Sequence, residues 1–390
     1  MNNITILNKK EIFLFVLYGI VGCSGLARTI LQHMLGTLYL PEILMVPLLY
    51  LLRKQFAHFK INYFSILIAL LLWGGLLVLG LLSSEPGSLF STSRAFLYLF
   101  ILYIIFKDRN NYIDSNVIMY ICFGSLIGWM LSVFYNFLHP EIYLNSRGEG
   151  YSYGNLMAIP LFLYTAYNKP KKTIFIIGLF VLIFLFFTSG LRRMMVVTII
   201  SLFLVIFLQS KISTKRIINT IFILSFFAIL ISLNFKQIGQ MVYDVSPSTY
   251  YRVFERYEES FDGTSVSDDE RTGNFEKFST WQFEHILPSG FLKTYASGNF
   301  GMYNDFPLFM LCYTFGMIIM YIILIKLTLE WLRNLFKYLK NRSIYIGCFL
   351  ISGVIVFLLL FLEGAFLTDP VQIQLTALSI GSISRISKYY

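Results

Sequence analysis

Two adjacent arginines, Arg192 and Arg193, follow Thr188-Ser189-Gly190 at the point where one apolar run ends and the next begins. A guanidinium is a planar fork of donors that matches a phosphate in paired hydrogen bonds. At a helix start it adds to amide donors and a dipole that also favour an anion. Arginine beside hydrocarbon either faces a protein interior or water-filled cavity or reaches out to lipid headgroups, and the residue types allow both. Upstream, Arg147-Gly148-Glu149-Gly150 leads into Tyr151-Ser152-Tyr153-Gly154-Asn155. Its glycines permit close backbone approach to a ligand, or simply form a tight surface turn. The third concentration of chemistry lies between Lys236 and Asp305, with eleven carboxylates against six cations and many aromatic residues. Flat aromatic faces stack on sugar C–H groups and carboxylates accept from sugar hydroxyls, so this composition suits a carbohydrate. It equally suits a folded extracellular cap with no ligand.

The common motifs for other chemistries are absent. The four histidines (His33, His58, His139 and His285) contain no pair at metal-ligand spacing, and there is no GxSxG, P-loop, HExxH or clean DxD. Cys23, Cys122, Cys312 and Cys348 all fall in apolar runs and read as small buried hydrophobes. Neither a metal nor a cofactor is expected. His285 is the histidine placed for proton transfer, because it alone lies in the polar segment.

The rest of the chain must position these groups, and its composition says how. The 390 residues are 57% hydrophobic and 13% charged, with mean hydropathy +0.69, whereas soluble domains carry about 25% charged residues. A bilayer core requires about 20 apolar residues per helix, and unpaired backbone groups are excluded from it. The expected fold is therefore an all-α polytopic membrane protein of about twelve transmembrane helices with one large extracytoplasmic loop. Apolar runs centre on 12–30, 38–52, 62–82, 94–106, 117–138, 152–168, 173–188, 191–209, 217–235, 306–327, 344–362 and 370–386. This gives a membrane domain over 1–235, a loop subdomain over 236–305 and a second membrane portion over 306–390. Within the loop, Tyr250, Tyr251, Phe254, Tyr257 and Phe261 recur at helical spacing, as an amphipathic helix on the outer leaflet or as a cap on the bundle. Lys9 and Lys10 before the first run fit an uncleaved first span.

Twenty of the 31 lysines and arginines fall on one set of alternating gaps. The positive-inside rule makes that side cytoplasmic and places both termini there. The net charge of +10 then reflects membrane orientation rather than nucleic-acid binding.

Three pieces carry a family resemblance. These are Arg147-Gly148 before Gly154-Asn155; Thr188-Ser189-Gly190-Leu191-Arg192-Arg193; and Arg271, Trp281, Pro288 and Gly290 followed by Tyr303-Asn304-Asp305 at a span start. In these the chain resembles the Wzy-type O-antigen and capsular polysaccharide polymerases, which are related to the O-antigen ligases. The resemblance implies a GT-C-like fold in the bacterial cytoplasmic (inner) membrane. It also implies a metal-independent transfer between undecaprenyl-diphosphate-linked oligosaccharide repeat units at the outer face, with a chain-length regulator and a flippase as partners. Carried over, Arg147, Arg192 or Arg193, and Arg271 hold the pyrophosphate, Trp281, Tyr303 and Asn304 meet the sugar, and Asp305 or His285 takes the acceptor proton. Ligases have a histidine shortly before the span that follows the large loop, where this chain has Tyr303-Asn304-Asp305. That departure disfavours a ligase; a lipid-linked oligosaccharide flippase or exporter is the alternative of a different class.

Overall fold

The computed structural model describes residues 7–27, 29–30, 45–53, 59–83, 89–139, 154–168, 172–188, 192–209, 234–245, 247, 250–255, 276–291, 307–362, 367 and 369–389. Among them all regular structure is helical. The helices are α1 (Lys9–Gly22), α2 (Met45–Arg53), α3 (Tyr63–Ser83), α4 (Leu89–Lys107), α5 (Ser115–Leu138), α6 (Ala158–Tyr167), α7 (Lys172–Thr188), α8 (Arg192–Gln209), α9 (Phe235–Val245), α10 (Pro307–Phe315), α11 (Met317–Asn341), α12 (Ile344–Leu362) and α13 (Pro370–Tyr389). Among the described residues three stretches, Tyr63–Leu82, Ser115–Asn136 and Ile344–Leu362, are long and apolar enough to cross a membrane. The chain divides into two units. One comprises Met1–Ile6, Glu42–Ser115 and Asp269–Tyr390, and the other Leu7–Pro41 and Asn116–Asp268. The polar segment over 236–305 is thus shared between them at residue 268.

The second unit is built on a close crossing of α1 and α5. Asn8 starts α1 with a capping box: its side chain accepts from the Glu11 amide at 2.8 Å, and the Glu11 carboxylate accepts from the Asn8 amide at 3.2 Å. Gly19 and Gly124 face each other's helix backbones, and a side chain at either would collide with them. Small residues allow this approach, and hydroxyls fasten it. Ser125 donates to the Cys23 carbonyl at 2.6 Å, and Thr29 and Ser132 share a hydrogen bond of 2.8 Å. Gly154 lies against the buried Trp129 indole, and the buried Asn155 side chain accepts from the Met157 amide at 3.1 Å, starting α6.

In the first unit α13 is the centre. It is buried nearly all round, packed by α4, α11 and α12, although it carries many polar side chains. The sequence places a single apolar run over 306–327; the structure breaks it. Gly316, at φ +80°, separates α10 from α11, and its α-carbon face lies against the backbone of Ile286, Leu287 and Pro288. α11 then continues for 25 residues. Ile318, Ile322, Ile325, Leu329, Leu332, Phe336 and Leu339 form its exposed stripe, about 32 Å long at ~1.5 Å per residue and close to the ~30 Å hydrocarbon thickness. Glu330, Asn334 and Tyr338 face inward.

A second correction concerns the amphipathic element of the polar segment. Residues 250–255 form a π-helical turn, 256–261 lie outside the described residues, and the amphipathic helix is α9. The run over 217–235 lies outside the described residues up to residue 233. All four cysteines are buried free thiols.

Candidate functional site

The arginine pair opens α8 in the second unit. Arg193 is half-buried and the following Met194 and Met195 are buried; the Arg192 side chain lies outside the described residues. Ile238 and Val242, one helical turn apart on α9, turn inward with Gly239 between them. Met195, Val242 and Phe254 make a buried cluster, joined by Phe186, Ile238 and Tyr250. The last turn of α7, the first turn of α8, α9 and the π-helical turn are thereby fastened together through Met195. π-helical turns recur at functional sites because they re-aim side chains within a helix. The Tyr251 phenol is pushed above its ordinary range, first by its hydrogen bond with Tyr243 and then by that ring's charge. It stays protonated at neutral pH and remains a donor.

The second concentration lies in the first unit. A helical run over 276–281 and a 3-10 turn, Gln282–Glu284, lead to His285. The backbone is pinned at three points. The Met317 amide donates to the His285 carbonyl at 2.8 Å, the Ser289 amide to the Tyr313 carbonyl at 2.9 Å, and the Phe291 amide to the Leu76 carbonyl at 3.2 Å. Gly290, at φ +87°, presses against the backbone of α3 at Leu76, Leu79 and Gly80. Alanine there combines a left-handed backbone with a collision against main chain. Gly290→Ala is expected to cost about 2 kcal/mol or more, read as a lowered unfolding midpoint in detergent.

This pinning presents an aromatic cage. The His285 ring lies 4.1 Å from Trp281 and 5.1 Å from Tyr313, centroid to centroid. Trp281 packs on Phe309 at 5.0 Å, and Phe278 meets Phe309 edge-on at 4.7 Å. His285 Nδ1 is 3.4 Å from Ser289 Oγ, and the Tyr321 hydroxyl donates to Gln282 Oε1 at 2.7 Å. Burial pushes the His285 pKa below its ordinary value of 6.5, against the opposing charge of Glu284. At neutral pH the ring is uncharged and can accept a proton.

The structure therefore brings His285 and Trp281 together, and it places Arg193, half-buried, in the first turn of α8. Arg147, Arg271, Tyr303, Asn304 and Asp305 lie outside the described residues.

No family model matches the chain, and no curated protein or solved structure matches it either.

One cluster escaped the sequence reading. On the inward side of α11, Glu330 accepts from the Ser384 hydroxyl, which is 3.1 Å from the Tyr103 hydroxyl. Asn334 Nδ2 donates to the Ile383 carbonyl at 2.9 Å, and Lys337 Nζ donates to the carbonyls of Ile386 and Ser387 at 2.7 and 2.9 Å. The fully buried Arg385 donates to the Asn111 carbonyl and lies over the rings of Tyr112 and Tyr345. The signal was the recurrence of Glu330, Asn334 and Lys337 at helical spacing beyond the apolar run.

Proposed function

We propose that this chain is a membrane-embedded glycosyltransferase that polymerises undecaprenyl-diphosphate-linked oligosaccharide repeat units at the outer face of the bacterial cytoplasmic membrane. It crosses the bilayer about twelve times with both termini inside. The observation that carries this reading is the half-buried Arg193 in the first turn of α8. A cation at a helix start suits a diphosphate leaving group, whose charge grows as the sugar–phosphate bond breaks. By the family resemblance Arg147 and Arg271 are the further candidates for the pyrophosphate, and Trp281, Tyr303 and Asn304 those for the sugar. The acceptor hydroxyl loses its proton to His285 or Asp305 as it attacks the anomeric carbon, and the lipid diphosphate departs. The donor bond is already activated, so these residues need no metal to assist departure.

Deletion of the gene in its host, followed by electrophoresis of the surface polysaccharide, tests this. A single repeat unit on the cell surface with no ladder supports a polymerase. Complete loss of the polysaccharide from the surface points to a ligase or flippase, and repeat units trapped on the cytoplasmic side single out the flippase.

If His285 is the base, its depressed pKa has a visible consequence. The neutral ring is the active form, so the acid limb of the activity profile is expected below pH 6.5. The sign for stability is the same. The buried neutral ring contributes stability that is present above the ordinary value and lost as pH falls through the lower folded-state value. His285→Gln is expected to remove the limb; an unchanged profile assigns proton transfer elsewhere.

A further inference from the structure

The tyrosines of α9 and the π-helical turn form a surface of their own. Tyr243, Tyr250 and Tyr251 meet mutually edge-on, with centroids 5.4, 5.9 and 5.6 Å apart. Tyr250 lies nearly parallel to Phe254, 5° between planes, and Phe254 belongs to the buried cluster with Met195 and Val242. The innermost ring is thus held from below, while Tyr243 and Tyr251 remain 37% and 48% exposed and Met241 68% exposed. Gln240 Nε2 lies 3.4 Å from Asp244 Oδ1 on the same helix, placing an amide and a carboxylate beside the rings.

We propose that this patch is a docking platform for a hydroxyl-rich glycan chain, separate from the groups that hold the diphosphate. The identity of that glycan as the growing polysaccharide rests on the polymerase reading above. Sugars present C–H faces that pack on aromatic rings and hydroxyls that need donors and acceptors at their edges; the tyrosine rings supply the first, and Asp244 and Gln240 the second. A bilayer surface is the competing occupant, and two observations oppose it. An interfacial helix turns its apolar side to lipid and lines its polar side with cations. In α9 the apolar side, with Ile238 and Val242, is already covered by protein. The polar segment carries eleven carboxylates against six cations, which disfavours anionic headgroups.

The test uses full-length protein in nanodiscs and lipid-free polysaccharide released from the producing strain by mild acid. Wild type is expected to bind it, Tyr243→Ala/Tyr251→Ala about tenfold more weakly, and Tyr243→Phe/Tyr251→Phe nearly as well as wild type, because the rings remain. Equal binding by wild type and the double alanine variant overturns the proposal, as does failure of wild type to bind. A Tyr251→Trp variant is expected to be quenched by iodide and not by brominated phospholipid; quenching by the lipid alone gives the patch to the bilayer and also overturns the proposal. Binding needs no turnover, so an intact ladder after gene deletion would sink the polymerase reading without deciding this one.

Discussion

Arg193→Ala is expected to abolish the polysaccharide ladder while the protein accumulates at its normal level. Removing one preorganised donor from a developing oxyanion costs about 10²–10³ in rate, enough to leave only single repeat units on a gel. Arg193→Lys is expected to restore part of the activity, because an ammonium supplies the charge without the planar fork. Stability should change little, since the neighbouring packing is made by Met195, Phe186 and the α9 residues. Arg271→Ala is expected to have the same effect if both arginines hold the diphosphate. Full-length polymer from both alanine variants would sink the arginine mechanism. Polymer lost together with the protein would show that Arg193 acts through folding.

The second large effect is on stability. Arg385→Ala removes a charged donor from the Asn111 carbonyl and opens a cavity between Tyr112 and Tyr345. A hydrogen bond made by a charged group contributes about 1.5–3 kcal/mol, and the cavity adds to that. A loss of about 3 kcal/mol or more is expected, visible as a lower unfolding midpoint in detergent. Arg385→Lys keeps a charge but not the guanidinium face over two rings, and should recover only a fraction. An unchanged midpoint for the alanine variant would mean that the cluster contributes no net stability.

Helix positions were largely legible in the sequence because an apolar run is a local property. Runs over 62–82 and 344–362 correspond to Tyr63–Ser83 and Ile344–Leu362. The break at Gly316 was not legible, since a glycine in an apolar run looks ordinary until the 286–288 backbone lies against it. Nor was the length of α11, because Lys326, Glu330, Arg333 and Lys337 end the run by hydropathy. The spacing of Glu330 and Lys337 makes sense only once α13 supplies carbonyls and a serine on that side. The candidate site shows the same division. Arg193 stood out by residue type, and His285 by its place in the polar segment. The Trp281–Tyr313 cage around His285 depends on residues that meet only because α10 ends where it does. The tyrosine cluster was read as a helix over 250–261, whereas Val242 and Phe254, twelve positions apart, fix it from two different elements.

The burial of α13 bears on how the protein is made. Gln372, Gln374, Ser379, Ser382, Ser384 and Arg385 are all buried among α13's neighbours, and a helix with that content partitions poorly into lipid by itself. In a bilayer it would enter only alongside α4, α11 and α12, which the ribosome has already delivered. Glu330 and Lys337 would meanwhile wait without their α13 partners, so a chain stalled before residue 370 would leave those polar groups exposed. A chain that stops short of α13 is therefore expected to accumulate at a lower level than the whole chain.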